Sequence, residues 1–123
     1  MNRFLRLVAT TAVALGAAIS SSQAQQTPYP NRTITWVVPF GAGGVTDNGA
    51  RFVAKYLSEK LGQPVLIDNK PGAGGIVGAE FVMNSKPDGY TMLYGSSGPM
   101  ATFPSLYKKL SFSPLQSFVP VNG

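Results

Sequence analysis

The chain is expected to adopt an α/β fold with the order β-α-β-α-β and a mainly parallel sheet. Three observations predict this. Short apolar, β-branched runs recur at residues 33–38, 65–68 and 90–94. Segments with helical character lie between them. Each run ends in a turn of small residues, the place where a parallel strand hands over to a helix.

Strand one is Thr33-Ile34-Thr35-Trp36-Val37-Val38. Its last three residues are continuously apolar, as expected of a parallel strand covered on both faces. The glycine-rich turn Pro39-Phe40-Gly41-Ala42-Gly43-Gly44-Val45-Thr46-Asp47 follows. Helix one is expected to begin at Thr46 or Asp47, both good N-cap residues. Ala50, Val53, Ala54, Leu57 and Leu61 then form one apolar face. Gly62 and Pro64 stop the helix. Strand two is residues 65–68. A second glycine-rich turn, Asn69-Lys70-Pro71-Gly72-Ala73-Gly74-Gly75, leads into helix two over 76–85. Lys86-Pro87-Asp88-Gly89 marks a turn. Strand three is residues 90–94, followed by the small-residue turn Gly95-Ser96-Ser97-Gly98. Beyond Pro99 the pattern becomes irregular. Residues 25–31, polar and with two prolines, read as a tail.

The first 24 residues have a different character. Arg3 and Arg6 precede an apolar run over 7–19, and Ser22-Gln23-Ala24 supplies small residues for a cleavage site. This is the layout of a secretory signal peptide. The run is short for a membrane span, which needs about 20 residues, so an uncleaved anchor is the weaker alternative. No twin arginine or lipid-accepting cysteine accompanies it. A periplasmic product comprising residues 25–123 is expected.

The 123-residue chain carries ten basic and five acidic residues. Removal of residues 1–24 leaves a net charge of about +3 without a basic stripe, which gives nucleic-acid binding little support. There is no cysteine and no histidine. Thiolate chemistry is excluded, and the commonest general base and metal ligand are absent. No catalytic residue, metal site or cofactor is assigned. The sequence argues for a binding protein rather than an enzyme.

Ligands of doubly wound sheets bind beyond the carboxyl ends of the strands. All three small-residue turns lie at that edge. Helix N-termini carry free N–H groups and partial positive charge, and glycine lets backbone approach a ligand closely. An anion is therefore the expected ligand, and a tight ligand-free connection is the alternative for each turn. Asp47 either caps helix one, or holds the loop or accepts a bond from a ligand hydroxyl, amine or bound water. Phe40 either walls the site or plugs the core. Ser96 and Ser97 are candidate hydroxyl donors, since no histidine is present to activate them as nucleophiles. A dinucleotide-binding reading of the two turns fails at the last small position of each, although Asp68 ends strand two where a ribose-binding acid would sit. A nucleotide-dependent oxidoreductase domain is the weaker alternative, as is a fragment without activity.

The residues from Pro39 to Asp47, followed by Ala50-Arg51, closely resemble the first loop of the tripartite tricarboxylate transporter substrate-binding proteins, the Bug family. Leu61-Gly-Gln-Pro-Val65, Asn69 through Gly75, Gly78-Ala79, Pro87-Asp-Gly-Tyr-Thr91 and Leu106-Tyr-Lys-Lys-Leu110 match in the same order. The resemblance implies a two-lobed periplasmic binding protein of type II, monomeric, that captures a small carboxylate for membrane transporter subunits. It implies ligand contacts from Phe40, Gly41, Ala42, Gly43, Gly44, Thr46 and Asp47 in the first loop. Gly72, Ala73, Gly74 and Gly75 supply the second loop, and Ser96, Ser97 and Gly98 the third segment. Family members are considerably longer, so residues 25–123 are expected to be part of the first lobe, with the second lobe absent.

Overall fold

A computed structural model of the chain describes residues 28–121; the expected signal segment lies outside the described residues. Three strands form one parallel sheet: β1 (Ile34–Val38), β2 (Val65–Asn69) and β3 (Thr91–Leu93), in the order β2-β1-β3. Ile34 is in register with Val65, and Trp36 with both Ile67 and Met92. Helix α1 (Val45–Leu61) joins β1 to β2, and α2 (Ile76–Met83) joins β2 to β3. The expected β-α-β-α-β order is observed, with β1 and β3 shorter than expected by one residue at their ends and β2 one residue longer.

The central strand is the most deeply buried. Ile34, Val37 and Val38 are all at most 1% exposed. Ile34, Trp36, Val65, Ile67 and Met92 share one face of the sheet, against which Ala54 and Leu57 of α1 pack. Val37 points to the other face, where α2 contacts β1 and β3. The continuous apolar end of β1 thus reflects burial on both faces. At the edge strand, Leu66 lies 58% exposed because α2 does not reach over β2.

Two expectations about α1 require correction. Its buried stripe is Asp47, Ala50 and Ala54, while Val53 and Leu61 are exposed. Small alanines bring the helix close to the sheet, and that contact leaves the flanking larger residues outside. Thr46 and Asp47 also lie inside the helix, because the N-cap is Gly44. The stop at Gly62 is as expected: it adopts φ 67° and donates to the Ser58 carbonyl at 3.1 Å. The Ser58 hydroxyl in turn accepts from Val65 N–H at 2.8 Å, tying the helix end to the start of β2.

Helix α2 is two residues shorter than expected and ends at Met83, with Asn84 as its C-cap, whose side chain donates to the Glu80 carbonyl. The region beyond Pro99 is irregular only over residues 107–113 and 118–121. A π-helical turn over Gly98–Thr102 runs into α3 (Phe103–Leu106), and α4 (Pro114–Ser117) follows. Pro99, Pro104 and Pro114 stand in first turns, where proline lacks no needed donor, and so start helices rather than interrupt them. Nor is Tyr29 part of a free tail. Its hydroxyl donates to the Gly89 carbonyl at 2.7 Å, its ring meets Tyr90 edge-on, and Arg32 pairs with Asp88 at 2.9 Å.

Gly78 shows how closely α2 approaches the sheet. A Cβ there would lie 2.7 Å from Pro39 Cβ, 2.9 Å from Pro39 Cα and 3.2 Å from the Lys70 carbonyl oxygen. Backbone cannot yield as a flexible side chain does. Gly78→Ala is therefore expected to lower stability by about 1–3 kcal/mol, the usual cost of overpacking. Gly41→Ala, which would meet nothing within 4 Å, leaves the urea midpoint nearly unchanged. Equal midpoints for the two variants in urea unfolding would contradict the packing described.

Candidate functional site

The three strand-end turns meet at the carboxyl edge of the sheet. Gly75 is the point of contact. A Cβ on it would lie 3.0 Å from Pro99 Cγ, 3.4 Å from Pro39 Cβ and 3.7 Å from Phe40 Cζ, so all three turns close on one residue. The Phe103 ring lies over Gly74 and Gly98, at 2.9 and 3.2 Å from where their Cβ atoms would sit. The segment from Gly72 to Gly75 takes positive φ throughout, including 45° at Ala73. Lys70 N–H donates to the Val38 carbonyl at 2.9 Å and Tyr94 N–H to the Val37 carbonyl at 2.8 Å, so the second and third turns leave the sheet on either side of the first.

The first turn projects outward. Gly41, Ala42, Gly43 and Gly44 are exposed, Thr46 and Phe40 are half-buried, and Asp47 is buried. Helix α1 has no side-chain cap. The amides of Val45, Thr46 and Asp47 lack acceptors within the helix, as in any first turn. These amides, beside the exposed glycines, form the donor end of the site. In the second turn Gly72, Ala73 and Gly74 are exposed and Gly75 is buried. In the third, Ser97 is exposed, while Ser96 and Gly98 are half-buried. Ser97 and Gly98 belong to the helical segment rather than to a turn.

Two of the expected donors are already engaged. Gly43 N–H donates to Asp47 Oδ2 at 2.8 Å, and Gly75 N–H donates to the Gly72 carbonyl at 2.9 Å. The Ser96 hydroxyl has the opposite status. It is shut off from solvent and has no hydrogen-bond partner among the described residues. A buried polar group left so is costly unless water or a ligand supplies the partner.

Asp47 holds the first turn in shape. Its Oδ2 also accepts from Arg51 Nε at 2.9 Å, and its Oδ1 from Asn69 Nδ2 at 2.9 Å. Asn69 Nδ2 donates as well to the Phe40 carbonyl at 3.0 Å, and Asn69 Oδ1 accepts from Arg51 Nη2 at 3.0 Å. Asn48 Nδ2 donates to the Gly43 carbonyl at 3.2 Å. The Arg51 hydrogen bond, with those from Gly43 and Asn69, lowers the Asp47 pKa from 3.8 to about 2. Of the two roles open to Asp47 in the sequence, the structure supports holding the loop. Arg51 and Asn69 stand in the recognised motifs, yet the sequence alone assigned them no part. The signal available was their spacing: Arg51 lies one helical turn beyond Asp47, and Asn69 is the last residue of β2.

Comparison with known proteins places this geometry. The model of the tripartite tricarboxylate transporter family receptor, TctC, matches residues 49–123. A UPF0065 protein of Bordetella pertussis is 46% identical over 120 residues, covering 96% of this chain and 36% of the relative. The chain thus spans about a third of the length of the curated relatives it matches. Among solved structures, periplasmic binding protein BugD aligns with a TM-score of 0.71 at 46% identity, covering 76% of this chain and 31% of BugD. MatC from Rhodopseudomonas palustris with bound malate aligns with a TM-score of 0.72 at 42% identity, covering 76% and 32%. The family and these neighbours are solute-binding proteins, not enzymes, and share the α/β fold with a parallel sheet. By its matched residues, its fold and its paired glycine turns, the chain belongs to the tripartite tricarboxylate transporter receptor family.

Proposed function

We propose that this chain carries part of the carboxylate-binding cleft of a periplasmic solute-binding protein, serving a tripartite tricarboxylate-type transporter. The observation that carries this reading is the convergence of three strand-end turns on Gly75, beside the uncapped N-terminus of α1. A carboxylate in front of that terminus meets first-turn amides and the positive end of the helix dipole. The ligand contacts proposed are those of residues 40–44, Thr46, residues 72–74, and Ser96 to Gly98. Gly75 and Asp47 shape the turns from behind. The partnerless Ser96 hydroxyl favours a role in contacting the ligand or a bridging water. Malate in MatC supports the ligand class, a small dicarboxylate being one member of it.

Capture in the periplasm and delivery to membrane transporter subunits are inferred from the family. Residues 1–24 are inferred to serve as a cleaved export signal and residues 25–123 to form part of one lobe of the binding protein. Among the described residues no helix is long and apolar enough to cross a membrane. The ligand is bound non-covalently by a monomer, with neither metal nor cofactor in the proposed contacts.

Calorimetric titration of the full chain with malate, citrate, glutamate and nicotinate tests the proposal. Saturable binding of at least one acid is expected, together with a raised melting temperature. A chain that melts cooperatively yet binds none of the four would overturn it. Gly44→Leu gives a second test. Gly44 has φ −76°, and its Cβ would meet only the Gly41 carbonyl oxygen, at 3.6 Å, so the fold accommodates a side chain. That side chain lies at the first-turn amides. The variant is expected to melt like the native chain but to bind the acid about tenfold more weakly, the loss of one charge-assisted hydrogen bond.

A further inference from the structure

The Asp47–Arg51–Asn69 cluster has a consequence for binding that its structural role does not exhaust. Asp47 is a full negative charge in the first turn of α1, immediately behind the exposed glycines. Left alone it would oppose the helix dipole at the place where an anion should bind. It would also be a buried charge without compensation, which is strongly unfavourable. Neither situation holds, because Arg51 lies against it at 2.9 Å and binds Asn69 with its other arm. Asn69 completes the brace by donating to both Asp47 and the Phe40 carbonyl.

We infer that Asp47, Arg51 and Asn69 are positioning residues: together they fix the shape of the 40–47 turn, and Arg51 cancels the Asp47 charge so that the α1 N-terminus stays attractive to an anion. The cluster touches no ligand itself. The anion-binding part of this inference rests on the function proposed above, whereas the bracing of the turn does not.

The electrostatic surroundings are simple. Residues 40–46 bring no titratable side chain. On α1 the next cation is Lys55, one turn beyond Arg51. On the β2 side, Asp68 and Lys70 pair with each other at 3.2 Å. Arg51 is therefore the charge in contact with Asp47. Since the Asp47 pKa is about 2 in the fold against an ordinary 3.8, ionised Asp47 stabilises the turn at all pH values above about 4. That contribution is lost as the pH falls from there through about 2. Removing Arg51 raises the Asp47 pKa and moves the loss to higher pH.

The experiment compares the native full chain with Arg51→Gln and Arg51→Lys. The first readout needs no ligand: the Gly43 amide resonance, followed by NMR against pH, because that N–H donates directly to Asp47. Its midpoint is expected near 2 in the native chain and about one pH unit or more higher in R51Q. The second readout is malate affinity at pH 7. It is expected to fall about tenfold in R51Q and to recover largely in R51K, which restores the charge without the fork of hydrogen bonds. Should R51Q not melt cooperatively, Asn69→Ser reads the same brace through the Gly43 midpoint, which is expected to rise. An unchanged Gly43 midpoint overturns the brace. Equal malate affinity in R51Q and the native chain overturns the charge cancellation. Failure of the native chain to bind malate or any of the other acids would instead sink the proposed function and the charge-cancelling role with it, and the Gly43 titration would still decide the brace.

Discussion

The buried carboxylate of Asp47 is the constraint on which the rest of the site depends. A charge at 1% exposure must be answered on every side, and here the answers come from three separate parts of the chain. Gly43 N–H is upstream in the turn, Arg51 is downstream in the helix, and Asn69 stands at the end of the neighbouring strand. Satisfying one residue therefore ties together the first turn, α1 and β2. Helix α1 has no side-chain cap because its N-cap, Gly44, has no side chain. An Asp in the first turn reaches backward past Gly44 to a turn amide, and the outward-facing amides of the helix are left for another acceptor.

Close backbone approach is the second constraint. Ala50 and Ala54 let α1 settle on the sheet, and Gly78 lets α2 touch Pro39. Gly75 is enclosed by Pro39, Phe40 and Pro99 with φ at 103°, a conformation and a space that exclude other residues. The second turn is thus specialised for packing at its inner end and exposed at Gly72 to Gly74. The first turn is the reverse, open at Gly41 to Gly44 and anchored at Asp47. The two glycine turns look alike in sequence, but their glycines do different work. Those of the first give an accessible backbone, whereas Gly75 of the second allows three turns to meet.

This division affects how an anion would be held. Two glycine-rich turns in the sequence would aim two helix N-termini at one spot. In the structure neither terminus has a side-chain cap, but the Gly75 and Ile76 amides at the α2 terminus are spent on the Gly72 and Ala73 carbonyls. The donor set is therefore asymmetric, with α1 dominant and the third segment adding the enclosed Ser96 hydroxyl. That asymmetry agrees with the position of the brace, which supports the first turn alone.

The order and kind of the elements were legible in the sequence. Those follow from local physics. β-branched runs, the apolar spacing of α1, Gly62 as a left-handed stop and small residues after each strand are all effects of near neighbours. The family followed from the ordered motifs for the same reason, because each motif is a contiguous string. Tertiary structure decided what depended on distant partners. Asp47 acts as a brace because Asn69, 22 residues away, reaches it. Val53 and Leu61 lie outside because the sheet meets α1 along Ala50 and Ala54. Residues 98–106 and 114–117 are helical, and Pro99 and Phe103 among them pack onto Gly75 and Gly74. Periodicity identifies an apolar face, but only packing shows which part of it is covered, and a hydrogen bond between residues far apart leaves no pattern along the chain.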